Sequence, residues 1–199
     1  MFLLKQYPEY IFNFEGAVKY AWMKEYYPAQ YEEMKKFIES GRWHISGASW
    51  DATDTLVPSI ESALRNIMLG QDYYRKEFGV ESTDIFLPDC FGFGWTLPAI
   101  ASHCGLIGFS SQKLQWRNKP FYGNDKYPFT VGLWQGIDGS TIMMTHGYDY
   151  NQRFEDGDLS ENKDLLELTG HSPLHMVYRY YGTGDIGGSP TSVSYTHLT

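Results

Sequence analysis

Cysteine is scarce in this chain of 199 residues: Cys90 and Cys104 are its whole complement, and neither belongs to a Cys-x-x-Cys pair. Two thiols cannot build a disulfide framework, and their spacing offers neither a redox dithiol nor a zinc knuckle, so the compartment stays open. Positive charge is also in short supply. Lys and Arg number 16 against 24 Asp and Glu, a formal net charge of -8, with no cluster of bases. Such a surface repels a phosphate backbone, which argues against nucleic acid as a partner. Nowhere do about 18 apolar residues run together, so no membrane span is expected. The opening MFLLKQYPEYIF lacks the basic leader, the longer apolar stretch and the cleavage site of a secretory signal.

What is plentiful is apolar and aromatic. With 42% apolar residues, 17% of the chain being Phe, Trp or Tyr, there is material for a sizeable core and for flat faces that stack on a ligand. Tyr7 to Phe14 reads as extended. PAQYEEMKKFIESG reads as a helix with Pro28 in its first turn and Gly41 as its stop. RWHIS suits a short strand, ASWDATDTLVP a polar loop, and SIESALRNIMLGQDYYRKEFG a long helix ending at Gly79, with Ile60, Leu64, Ile67 and Met68 at helical spacing. DIFLP and LIGFSS read as strands flanking a helix in WTLPAIASHCG, which Pro98 interrupts near its start. TVGLWQG and STIMMTHG suit two more strands joined through Gly136 to Gly139, ENKDLLELTG a helix and HMVYRYYG a last strand. Strands alternating with helices predict an α/β fold with a parallel sheet and helices outside it. The final SPTSVSYTHLT resembles a translated adapter tail, so residues 1–189 are read as one domain and 190–199 as a non-native tail.

The stretch FLPDCFGFG places Asp89 between β-formers and a run of aromatics and glycines. A carboxylate among apolar neighbours requires a partner. In a parallel α/β layout the residue just after a strand sits at the carboxyl edge of the sheet, where functional groups are mounted. The alternative is that Asp89 caps the following helix or shapes the turn after Pro88. Asp51 and Asp54, in the loop after RWHIS, fall near the same edge, and His146 ends a strand that reaches it. Trp50 and Trp116 are either core residues or stacking platforms. His44 carries no assigned role, His103 is most simply a packing residue, and His171 and His175 have a three-residue spacing that binds metal only in a helical or finger context absent here.

GRWHISGASWDATDT, PSIESALRNIMLG, FLPDCFGFGWTLPAI, FSSQKLQW and YYGTGDIGGSP follow one another in an order that resembles the N-terminal catalytic domain of glycoside hydrolase family 38, the α-mannosidases. The resemblance covers roughly residues 7–190. It implies a β/α barrel with zinc at the carboxyl ends of its strands, and a mannose-containing oligosaccharide or glycan as substrate. Asp89 matches the family's Pro-Asp-x-Phe-Gly aspartate, which implies a nucleophile that is also a zinc ligand. A retaining mechanism then needs a second carboxyl group about 5 to 5.5 Å away. Asp185 in GTGDIGGSP is the candidate acid/base by similarity. Two other readings stay open: Asp185 contacts sugar hydroxyls while Asp149 supplies the proton, or it only shapes a Gly-rich turn. Trp50, Asp51, Trp116 and His146 are the substrate-binding candidates, and the i,i+4 pair Glu61 and Arg65 is either a surface pair or a buttress of the site.

The family's barrel begins with a His-x-Asp pair and takes a further histidine ligand from later in the chain. No His-x-Asp occurs here. The expectation is therefore an incomplete barrel, lacking its first strand and its C-terminal part, that binds zinc poorly and is inactive by itself. Two rival readings remain. A metal-dependent carbohydrate deacetylase needs closely placed histidines that the sequence does not offer, and a non-catalytic carbohydrate-binding module calls for a sheet sandwich.

Overall fold

Glycine, proline and serine set the helix boundaries. Helices α1 (Phe2–Gln6), α2 (Ala17–Tyr26) and α3 (Pro28–Glu39) surround strands β1 (Phe12–Phe14) and β2 (Trp43–Ile45) in the chain order α1, β1, α2, α3, β2. The long helix α4 (Ile60–Phe78) starts at Ser59, whose Oγ accepts a hydrogen bond from Ser62 N, and stops at Gly79 in the left-handed region, φ 69°. Strand β3 (Asp84–Phe86), helix α5 (Leu97–His103), strands β4 (Gly108–Ser111), β5 (Val131–Gln135) and β6 (Thr141–His146), and helix α6 (Lys163–His171) complete the order. The computed structural model describes residues 1–113, 130–146 and 159–180.

Strands β1 and β2 pair in parallel, Asn13 opposite His44. A second sheet runs β3-β4-β6-β5, parallel from β3 through β6 and antiparallel between β5 and β6. The two sheets are joined at Asp84. Its backbone O accepts from Ala48 N at 2.8 Å, and its carboxylate accepts from Ser46 Oγ, Gly47 N and Ser82 Oγ at 2.7, 3.0 and 3.0 Å. One core cluster packs Tyr20, Tyr31, Met34, Trp43 and Tyr74 between β1, β2 and their helices, and a second packs Ile67, Ile85, Leu87, Ile100, Phe109 and Ile142 under α4 and α5.

Four expectations need correction, and two helices went unassigned. The parallel sheet carries one antiparallel strand, β5, because the short turn through Gly136 and Gly139 reverses the chain. Residues 2–6 and 17–26 are helical, where the sequence reading left them unassigned. The buried stripe of α4 is Ile67, Gly70, Gln71 and Tyr74, while Ile60 and Met68 are each 55% exposed. Gln71 is tolerated inside because its amide group donates to Ser82 O and accepts from Ser82 N. Pro98 lies in the first turn of α5 and so begins that helix instead of interrupting it. Finally, the described residues of HMVYRYYG, 175–180, form no strand; the segment is held instead by Tyr178 N donating to Thr130 Oγ1 and by the buried contact of Tyr180 Oη with Ser110 Oγ at 2.6 Å. Residues 190–199 lie outside the described residues.

Candidate active site

The β3–β4 pairing does not stop where the strands end. Leu87 N donates to Ser110 O at 3.0 Å and Gln112 N to Pro88 O at 3.4 Å, so the chain is held to its neighbour up to the turn that carries Asp89. This puts Asp89 at the carboxyl edge of the sheet, as the strand reading predicts. Its side chain is 59% exposed. It caps no helix, since α5 begins at Leu97 with Thr96 in the cap position.

The partner that the carboxylate required is Lys113. Lys113 Nζ lies 2.6 Å from Asp89 Oδ1, and the lysine side chain is only 6% exposed. The same ammonium stands 4.5 Å from the centre of the Phe91 ring, a cation–π contact. Phe91 and Trp95 are 60% and 76% exposed, whereas Phe93 turns inward against Phe109 with ring centres 4.9 Å apart. Lys113 stood in the motif FSSQKLQW without being singled out. The signal was its position, two residues past β4 on the strand next to β3, matching the placement of Asp89 past its own strand.

The loop after β2 is sewn to the Asp89 turn. Cys90 Sγ donates to Thr53 O at 3.2 Å and Thr55 Oγ1 to Gly92 O at 2.7 Å. Burial pushes the Cys90 thiol up to about 11, with the carboxylates of Asp54 and Asp89 adding to it, so it stays a neutral donor. Asp51 is exposed and tied to α4, its N–H donating to Asn66 Oδ1 and its Oδ1 accepting from Ala52 N. Asp54 Oδ1 accepts from Leu56 N and Val57 N. Both carboxylates therefore shape the loop beside Asp89. The loop itself, through Thr53 and Asp54, lines a pocket together with Ile67, Ile85, Leu87 and Leu97.

The remaining candidates are spread out. Trp50 packs edge-on against Tyr73, 5.8 Å between ring centres, at the margin of the first core cluster. His146 ends β6 opposite Ser111 and is fully buried. Glu61 and Arg65 form a pair at 2.7 Å in which both side chains are 66% exposed, the surface alternative. His44, His103, His171 and His175 are exposed. Trp116, Asp149 and Asp185 lie outside the described residues. Among the described residues no three His, Cys, Asp or Glu side chains converge to hold a metal, so Asp89 by itself is one hard oxygen donor and not a site. No described helix is long and apolar enough to cross a membrane.

Residues 1–193 match the family described as glycosyl hydrolases family 38 N-terminal domain. Alpha-mannosidase G of Dictyostelium discoideum is 36% identical over 97% of this chain and 17% of its own length, and human alpha-mannosidase 2C1 is 30% identical over 98% and 18%. The chain thus spans less than a fifth of the curated relatives it matches. Among solved structures, an alpha-mannosidase from Enterococcus faecalis V583 superimposes with a TM-score of 0.62 at 20% identity, covering 79% of this chain and 17% of that one. A 4-alpha-glucanotransferase from Thermococcus litoralis superimposes with a TM-score of 0.68 at 16% identity, over 98% and 30%. At those identities the likeness is one of fold.

Proposed function

The chain belongs to the glycosyl hydrolases of family 38, and from that premise we propose that it is part of a retaining α-mannosidase acting on mannose-containing glycans, with Asp89 as nucleophile. The observation that carries this reading is the placement of Asp89: a solvent-facing carboxylate at the carboxyl edge of a parallel sheet, with one oxygen held by Lys113. Its strands are proposed to be part of a β/α barrel. Asp89 would attack the anomeric carbon while a second carboxyl group, for which Asp185 is the candidate, gives its proton to the departing glycosidic oxygen. Water then releases the sugar from the aspartyl ester with the same second group acting as base.

Zinc is proposed as the cofactor, with Asp89 as one ligand and the other ligands outside the described residues. When bound, the ion supplies positive charge for gripping neighbouring sugar hydroxyls. Trp50, Asp51, Trp116 and His146 remain proposed contributors to sugar binding. The loop carrying Asp51 supports its place, since that loop is bonded to the Asp89 turn.

The test uses the full-length enzyme containing this chain. An α-mannoside that forms a long-lived intermediate should leave a mannosyl ester on Asp89, detectable by peptide mass spectrometry. Asp89→Asn should lower kcat on the order of 10⁴-fold and abolish the ester, and chelation should remove activity that added zinc restores. Hydrolysis at full rate by Asp89→Asn would overturn the assignment.

A further inference from the structure

The two partners of the Lys113–Asp89 pair are unequal. The lysine side chain is 6% exposed and the aspartate 59%. A carboxylate open to water is solvated without a lysine, so the pair does not exist to neutralise Asp89. A lysine withdrawn from water, by contrast, depends on an anion beside it. The ammonium reaches its place from the segment just past β4, the ring of Phe91 lies 4.5 Å away, and the backbone N–H of Lys113 donates to Ser111 Oγ. Lys113 is therefore held by the end of the neighbouring strand and by Phe91, and presents its charge to Oδ1.

Resting on the mannosidase reading, we infer that Lys113 is a positioning residue that fixes the Asp89 carboxylate and makes it a good leaving group in the second half of the reaction. With Oδ1 held by Lys113, and that same oxygen the one the proposed zinc would share, Oδ2 is the oxygen presented to the sugar. In the first step Oδ2 forms a bond to the anomeric carbon. The bond to the glycosidic oxygen breaks, its electron pair stays on that oxygen, and the oxygen takes the proton of the acid/base carboxyl group. In the second step water attacks the anomeric carbon, its proton goes to the acid/base group, and the electron pair of the ester bond returns to Oδ2.

A cation beside Oδ1 stabilises the free carboxylate more than the uncharged ester. Its charge thus slows attack and speeds departure. Orientation helps attack, so charge and orientation oppose each other in the first step, while the charge helps the second step outright. Removing the charge should slow the second step more than the first.

The experiment measures kcat, KM and the steady-state fraction of Asp89 carrying a sugar, by rapid quench and mass spectrometry, in the full-length enzyme with an activated aryl α-mannoside. Lys113→Met and Lys113→Gln are expected to lower kcat by about 10- to 100-fold, to lower KM with it, and to raise the esterified fraction, while Lys113→Arg restores values close to the parent. Either neutral variant that folds decides the matter. An esterified fraction no higher than in the parent, or a raised KM with the loss of kcat, overturns the inference while leaving Asp89 as nucleophile. A parent enzyme that cleaves no α-mannoside and forms no ester overturns both readings together.

Discussion

Gly70 of α4 meets the backbone of Ala48 so closely that a Cβ there would fall 2.2 Å from the Ala48 carbonyl oxygen and 2.4 Å from the Ser49 carbonyl carbon. These atoms belong to main chain and cannot swing aside. In an exposed helix interior, alanine in place of glycine gains about 1 kcal/mol. Here the sign reverses, and Gly70→Ala should cost about 3 kcal/mol or more through overpacking. Denaturant unfolding of the full-length protein checks this, with Met68→Ala, at an exposed position on the same helix, expected within about 0.5 kcal/mol of the parent.

Asp84 is the link between the two sheets, and its carboxylate accepts three hydrogen bonds. Asp84→Ala leaves Gly47 N and two serine hydroxyls without their acceptor and should destabilise by about 3 kcal/mol. Asp84→Asn retains one acceptor oxygen and should cost about half of that. Equal unfolding midpoints for Asp84→Ala and the parent would show that the link bears no load.

Glu77 on α4 binds Lys24 Nζ through both oxygens at 2.7 Å and accepts from Tyr31 Oη at 2.9 Å. The Lys24 ammonium first, with the Tyr31 hydroxyl assisting, holds the Glu77 carboxyl below its usual 4.5. A carboxyl group lowered on folding contributes stability that is fully present above its unfolded pKa and is lost as pH falls through the folded one. The Tm advantage of the parent over Glu77→Gln should therefore be constant near neutrality and shrink on acidification below about pH 4.5. An advantage unchanged down to pH 2 would contradict the assignment.

Much of this fold was readable from local chemistry. Gly79 marked the end of α4, and DIFLP and LIGFSS became β3 and β4. Helix α2 escaped because AVKYAWMKEY has no capping side chain and its aromatics continue the preceding run. The buried face of α4 was misread because two of its members are Gly70 and Gln71, neither of which scores as apolar. Asp89 was legible as a carboxylate needing company, and its edge position followed from DIFLP. The identity of its companion was not, because Lys113 comes from another strand and only the β3–β4 register brings the two together.

The segment leaving Asp89 does not hang free. Phe93 lodges against Phe109 and Trp134, and Trp95 O accepts from Ile137 N in the turn before β6. That turn sits at the amino ends of the parallel strands, across the whole height of the sheet from the Asp89 edge. The loop of the proposed nucleophile is in effect a guy-rope staked at the opposite end of the domain. Loosening the stake, for instance by lengthening the turn between Gly136 and Ser140, should slacken catalysis at a site it never touches.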